Sequence, residues 1–183
     1  MKFNNTKWIA AAIGALMLTA PLAQAAALPS PRAAAADELR AQTLIADGIN
    51  AERKRRAPEA PALKTDTDLT AIARARSDAI AHGAPFAHED RPGHFPAVEM
   101  VTAKFGRSGA IGENLFGAGG TGRFDPAAFA KQAVAGWMAS NEHRSNILDL
   151  GFDASGVGVV VVGDAAYATQ VFRGPPPSAA ATK

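Results

Sequence analysis

The first half of the chain carries two stretches with the three-to-four-residue hydrophobic spacing of an amphipathic helix. The first begins at Asp37 and ends near Arg56, because Pro58 and Pro61 follow. Its apolar side consists of Leu39, Leu44, Ile45, Gly48 and Ile49. The second covers residues 66–82, and its apolar side consists of Leu69, Ile72, Ala73, Ala79 and Ile80. The pattern predicts two helices, each with one buried side.

The middle of the chain alternates between loops and shorter helices. Residues 84–94 are predicted to form a loop that carries two of the four histidines, and residues 95–104 a short helix. Asp125 followed by Pro126 predicts another helix start, because an acidic N-cap and a proline in the first turn both favour one. Its buried stripe is predicted to consist of Phe129, Ala133, Val134 and Trp137.

The last third has the pattern of a β-hairpin. Valines at 157, 159 and 161 alternate with glycine or valine, which predicts a strand buried on both faces or nearly so. Gly163-Asp164 predicts a turn, and residues 166–172 the antiparallel partner strand. Helices first and a hairpin last indicate an α+β fold. Residues 174–183 are predicted to be a disordered tail.

The N-terminus has the pattern of a secretory signal peptide over residues 1–25. Lys2 and Lys7 are basic, residues 8–18 are apolar but too short to span a bilayer, and Ala23-Gln24-Ala25 supplies a small-residue cleavage site. Cleavage predicts a secreted or periplasmic protein with no transmembrane segment, in which residues 26–36 form a loose linker. The alternative is an uncleaved N-terminal anchor.

Charge and cysteine content exclude several classes of function. The chain has 19 Lys plus Arg and 17 Asp plus Glu, and cleavage would remove two lysines and no acid. The mature chain would then be balanced in charge, which argues against nucleic acid as a partner. The absence of cysteine excludes disulfides, a thiol nucleophile and a cysteine-ligated metal.

Glu113 is the most unusual charged position in the sequence. If residues 111–115 are extended, Ile111, Glu113 and Leu115 share one face of a strand. A carboxylate between two apolar side chains needs a hydrogen bond, a cation, a metal or a proton. Glu113 is therefore either a structural glutamate that accepts backbone hydrogen bonds or part of a functional pocket.

Four short motifs together resemble the bacterial branch of the CAP superfamily (cysteine-rich secretory proteins, antigen 5 and pathogenesis-related proteins, with an SCP-like extracellular domain). They are Phe86-Ala87-His88, Gly112-Glu113-Asn114-Leu115, the segment 137–148 with its Ser140-Asn141-Glu142-His143-Arg144, and the segment 167–172. The resemblance assigns residues 37–173 to one such domain. It implies a three-layer α-β-α sandwich with a small antiparallel sheet.

The resemblance also implies that His88, Glu113 and His143 meet in one cluster and bind a ligand, although their spacing does not require it. Two neutral imidazoles and a carboxylate form a three-ligand set that suits zinc (Zn²⁺) with one open position. Simpler alternatives are a loop role for His88, a helix-terminal structural role for His143, and a hydrogen-bonded cluster without metal.

Some positions depart from the family's patterns. Ser140 and Tyr167 stand where the eukaryotic branch has a glutamate and a histidine, so the four-residue cavity of those relatives is not reproduced. Glu142 stands where the bacterial pattern usually has glycine, and it is a further candidate for the cluster. Asn146 is expected to cap a short helix at Ile147-Leu148, and His94 is expected to be exposed.

Three hypotheses for the function follow. The first is a secreted binding module that holds a ligand, a lipid or a cell-envelope component in the groove of His88, Glu113 and His143. The second is a divalent-metal-dependent hydrolase with Glu113 or Glu142 as the base. The third is a structural cluster in an envelope or interaction protein.

Overall fold

A computed structural model describes residues 30–106, 109–119 and 122–175. The predicted signal peptide and most of the predicted tail lie outside these residues. No helix among them is both long and apolar enough to cross a membrane. The elements in chain order are α1 Pro31–Arg56, β1 Lys64–Thr65, α2 Thr67–Ala81, α3 Pro96–Phe105, β2 Ile111–Ala118, α4 Pro126–Ala139, α5 Asn141–Leu148, β3 Ala154–Val162 and β4 Ala165–Arg173.

Helix α1 begins at Pro31 and not at the predicted Asp37, so residues 31–36 are helical and not part of a linker. The cause is local: the Ser30 side chain accepts a hydrogen bond from the Ala33 N–H, and Pro31 occupies the first turn. Four alanines, the best helix-forming residue, follow Arg32. The helix starts predicted at residues 66 and 125 agree with the structure, in which Asp66 caps α2 and Asp125 caps α4.

The sheet contains the predicted hairpin and two further strands. Its order is β1-β3-β4-β2, in which β4 pairs antiparallel with both β3 and β2. The two-residue strand β1 adds a parallel pair at the outer edge of β3, through Lys64 opposite Ala154 and Thr65 opposite Ser155. No hydrophobic period marks so short a strand, and the sequence did not predict it.

Helices cover both faces of the sheet, as the predicted three-layer arrangement requires. One face packs against α1, α4 and α5, and its core includes Ile45, Ile49, Trp137, Val159 and Phe172. The other face packs against α2 and α3, with a smaller core made by Leu69, Ala73, Ala97, Val101, Ala154 and Val171. The fold is an α+β sandwich.

Helix α2 lies unusually close to β3 because two glycines face it. A Cβ atom at Gly156 would be 2.1 Å from the backbone nitrogen of Thr70, and one at Gly158 would be 2.1 Å from that of Arg74. Ser77 uses the short distance to donate a hydrogen bond to the Gly158 carbonyl at 3.0 Å, while its hydroxyl also lies 2.9 Å from that of Thr169. Glycine at 156 and 158 therefore sets the distance between the helix and the sheet.

Helix side chains occupy the part of the β3 edge that β1 leaves open. The Val159 N–H donates to Gln42 at 3.1 Å, and the Val161 N–H donates to Glu38 at 2.9 Å. Arg74 donates to the Val159 carbonyl at 2.9 Å and also pairs with Glu38. Because unpaired strand edges invite pairing with other chains, these contacts protect this side of the sheet.

Arg53 holds the end of α1 against the segments around α5. Its guanidinium is fully buried and donates to the carbonyls of Pro61, Ile147, Asp149 and Phe152. Burial lowers the pKa of this arginine, and the charge of Asp149 acts in the opposite direction. The four carbonyls replace the water that a buried cation loses.

We expect Gly158→Ala to destabilise the protein by at least about 2 kcal/mol, because α2 must move away from the sheet to admit the methyl group. Gly119→Ala is the matched control, since its Cβ would meet its nearest neighbour at an ordinary 3.6 Å. Urea unfolding of both variants measures the difference. Equal free energies of unfolding would contradict the close contact.

Candidate functional site

A pocket of about 360 Å³ lies between the loop before α3, the start of α3, the first half of β2 and helix α5. All three predicted site residues line it. The full lining is His88, Phe95, Ala97, Val98, Ile111, Gly112, Glu113, Glu142, His143, Ser145 and Asn146. A smaller pocket of about 160 Å³ at the β3–β4 turn and a larger one of about 440 Å³ between α1 and α4 have no histidine in their linings, so the chemistry of interest lies in the pocket with the two imidazoles.

Glu113 is held between a guanidinium and an imidazole. Its Oε1 accepts a hydrogen bond from Arg76 Nε at 2.9 Å, and its Oε2 lies 2.9 Å from His88 Nδ1. The Glu113 and Arg76 side chains are 7% and 2% exposed, so this is a buried ion pair. The alternation predicted for β2 puts Glu113 on the face that α2 covers, where the carboxylate needs such a partner.

Arg76 is the site residue that the sequence analysis missed. Besides holding Glu113, it donates from Nη2 to the Ala87 carbonyl at 3.0 Å, directly before His88 in the chain. It therefore fixes both the carboxylate and the backbone that carries the imidazole. A signal existed: position 76 lies on the apolar side of α2, between Ala73 and Ile80, where a charged residue requires a buried partner.

His143 lies beyond the end of α4, as predicted, in the first turn of the next helix, α5. Ser140 ends α4 and begins α5, and its hydroxyl accepts the His143 N–H at 3.4 Å. The His143 ring lies 6.0 Å from the His88 ring, edge to face. Burial and the neighbouring His88 lower the pKa of His143, against a smaller opposing effect of Glu142. Both effects favour the neutral form of the His143 imidazole.

Two asparagines join α5 to β2. Asn114 Nδ2 donates to the His143 carbonyl at 3.2 Å, and Asn146 Nδ2 donates to Asn114 Oδ1 at 2.9 Å and to the Glu113 carbonyl at 3.3 Å. Asn146 lies inside α5, so the predicted capping role is wrong. The contacts instead place His143 opposite His88.

The predicted three-ligand metal set is not formed. Among residues 30–106, 109–119 and 122–175, no group of three or more His, Cys, Asp or Glu side chains has the geometry to hold a metal ion. The physical reason is that Arg76 donates to one Glu113 oxygen and the other oxygen pairs with His88 Nδ1. The carboxylate therefore lies on the Nδ1 side of the His88 ring and not on the Nε2 side. His88 Nδ1 faces Glu113, which leaves Nε2 as its available nitrogen.

The remaining histidines do not join this cluster. His82 Nδ1 lies 2.8 Å from the Asp78 carbonyl at the end of α2. His94, predicted to be exposed, is only 21% exposed because it lies between the carboxylates of Asp90 and Glu99. Glu142, the further candidate for the cluster, lines the same pocket.

Comparisons with known proteins agree with this fold. The model of the cysteine-rich secretory protein family (CAP) matches residues 46–172. An outer surface protein from Borrelia burgdorferi has 15% identity and a TM-score of 0.61 over 74% of this chain and 92% of its own. An extracellular protein with an SCP domain from Bacillus anthracis has 24% identity and a TM-score of 0.60 over 81% of this chain.

A cysteine-rich secretory protein from Staphylococcus aureus has 20% identity and a TM-score of 0.53 over 75% of this chain. The match spans 39% of that chain and 45% of the Bacillus chain, less than half of either. No curated protein matches the sequence. The family model covers more than half of the chain, and the helix and sheet layers agree with it. The chain belongs to the CAP family of cysteine-rich secretory proteins, although it contains no cysteine.

Proposed function

We propose that the protein is a secreted binding module that holds a ligand, a lipid or a cell-envelope component in the pocket of His88, Glu113 and His143. The observation that carries the proposal is the chain of contacts from Arg76 through Glu113 to His88. It orients one imidazole and leaves its Nε2 available next to a second, neutral imidazole. A purely structural cluster would not need to open into a pocket.

The pocket has the mixture of surfaces that ligand sites usually have. Phe95 and Val98, both exposed, supply apolar surface on one wall, and His143, Glu142 and Ser145 supply polar groups on the other. Pockets that bind small molecules combine apolar walls with a few placed polar groups, and the volume lies in their usual range. Burial of Arg76 and Glu113 below the pocket keeps its floor rigid.

The proposed location outside the cytoplasm rests on two observations. The predicted signal peptide over residues 1–25 would direct the chain across the membrane. The matched structures include proteins described as extracellular and as an outer surface protein. A component of the cell envelope is therefore the ligand class that the protein would meet.

Zinc binding is a second candidate, favoured by the position of Glu113. Imidazoles that bind a metal usually donate the other ring N–H to a carboxylate, which is the relation of His88 to Glu113. His88 and His143 would hold the metal with positions left for water or ligand. Bound zinc lowers the pKa of water, and Glu142 is the carboxylate in the pocket that would take a proton from it.

We expect a lipid and cell-envelope glycan binding screen to give signals that His88→Gln and His143→Gln each reduce at least about 10-fold, because both imidazoles face the ligand. The His88 side chain is 46% exposed and Arg76 still pairs with Glu113, so replacing His88 should reduce stability less than replacing Glu113 does. His82→Gln, at an exposed helix end, is the matched control.

Glu113→Gln separates binding from a structural role. It should lower the free energy of unfolding by on the order of 3 kcal/mol, because Arg76 loses its buried partner, and it should also weaken binding. Lower stability with unchanged binding would favour the structural hypothesis.

Zinc titrated by calorimetry into chelator-treated protein should bind with a stoichiometry of about one, and His88→Ala or His143→Ala should reduce the affinity at least about 10-fold. The His82→Ala protein should bind like the original. Affinity that survives both pocket substitutions would remove the zinc candidate.

Stability should also fall in mild acid because of His143. The folded protein keeps the pKa of His143 below its ordinary value of 6.5, so near that pH the unfolded chain binds more protons at this residue than the folded chain does. The protein should therefore lose more stability than His143→Gln between about pH 7.5 and 5.5. Parallel loss in both proteins, measured by urea unfolding, would contradict the lowered pKa.

A further inference from the structure

The hydrogen-bonding parity of β2 shows which of its backbone groups point away from the sheet. Ala110 lies opposite Gly174, and the Gly174 N–H donates to the Ala110 carbonyl at 2.8 Å. The even-numbered residues of β2 are therefore the ones whose backbone groups form hydrogen bonds with β4. In an antiparallel pair the alternate residues direct both N–H and C=O to the other side. Ile111, Glu113 and Leu115 therefore present their backbone groups at the outer edge.

Two side chains agree with this parity and occupy part of the edge. Trp137 Nε1 donates to the Leu115 carbonyl at 2.9 Å, and Asn146 Nδ2 donates to the Glu113 carbonyl. Both bonds reach these carbonyls from helices α4 and α5. Helix side chains thus occupy the outward carbonyls of Glu113 and Leu115, in the same way that side chains of α1 and α2 occupy groups of β3.

The first half of the edge opens into the pocket. Residues 111–113 line it and all three are partly exposed, although the Glu113 side chain is only 7% exposed. Glu113 is therefore exposed in part through its backbone. Outside the strand ladder, no described residue accepts a hydrogen bond from the N–H of Ile111 or Glu113.

We propose that the pocket binds a short extended peptide, which pairs as an additional strand with β2 at Ile111 and Glu113. The inference rests on the proposed binding function and adds the class of ligand. The two outward N–H groups are about 6.8 Å apart, the distance between alternate carbonyls of another extended chain. A lipid tail over the same edge would leave two N–H groups without acceptors, which is unfavourable.

The walls suit the alternating side chains of such a peptide. Phe95 and Val98 lie on the α3 side, and Glu142, His143 and Ser145 lie on the α5 side. Successive side chains of a strand point to opposite sides, so one would meet an apolar wall and the next a polar wall. Because Asn146 and Trp137 already donate to the outward carbonyls of Glu113 and Leu115, the paired segment is only a few residues long.

The test uses a positional-scanning library of blocked hexapeptides and NMR of the ¹⁵N-labelled full protein. We expect saturable binding by pools with alternating apolar and polar residues, and slower hydrogen exchange at the Glu113 amide.

N-methylation of alternate peptide amides leaves the side chains unchanged but prevents pairing on one edge. The analogue methylated on the pairing edge should bind much more weakly than the one methylated on the other edge.

A pair of variants tests the protein side of the contact. Ile111→Pro removes an outward N–H at the first residue of the strand, where proline is tolerated, and Ile111→Val keeps it. We expect roughly 2- to 10-fold weaker peptide binding for the proline variant than for the valine variant. Urea unfolding confirms that both are folded, and the methylated peptides test the proposal independently of them.

Two results would overturn the proposal: no pool binds, or binding is indifferent to methylation on either edge. If no pool binds but a glycan or a lipid binds in the first screen, the peptide proposal is overturned and the binding function is left intact. Failure of the function itself would instead appear as insensitivity of every ligand to His88→Gln and His143→Gln.

Discussion

The site depends on the close approach of α2 to the sheet, because this helix carries the arginine that organises it. With glycine at 156 and 158, the α2 backbone lies directly on β3, and Ser77 reaches the Gly158 carbonyl. One residue earlier on the helix, Arg76 then reaches Glu113 on β2. A wider gap would separate the buried guanidinium from its carboxylate and leave two buried charges unpaired.

Two buried arginines connect the layers, and each holds one wall of the pocket. Arg76 fixes Glu113 and the Ala87 carbonyl, and so positions His88. Arg53 binds the Ile147 and Asp149 carbonyls at the end of α5, the helix that carries His143. A protein without disulfides thus holds its loops through multidentate guanidinium contacts, whose planar set of donors serves several acceptors at once.

Local patterns predicted the elements, while long-range contacts decided the site. The alternation around Glu113 and the Asp125-Pro126 start both agreed with the structure, because each depends on neighbouring residues. Arg76 was missed because a helical arginine resembles a solvated one until its burial is known. The family resemblance predicted that His88, Glu113 and His143 lie close together, but it could not show that Glu113 pairs with Arg76. Because of this contact, Glu113 is not free to act as a metal ligand.

Closure of the sheet edges explains why the pocket lies where it does. Glu38, Gln42 and Arg74 occupy the β3 edge, and Trp137 and Asn146 occupy the outward carbonyls of Leu115 and Glu113 at the β2 edge. An uncovered strand edge is a liability unless something pairs with it. Within the part of the chain that the structure describes, no helix side chain accepts from the outward N–H groups of the stretch that faces the imidazoles. The outward backbone N–H groups at this edge therefore favour it as a binding surface, independently of the histidines.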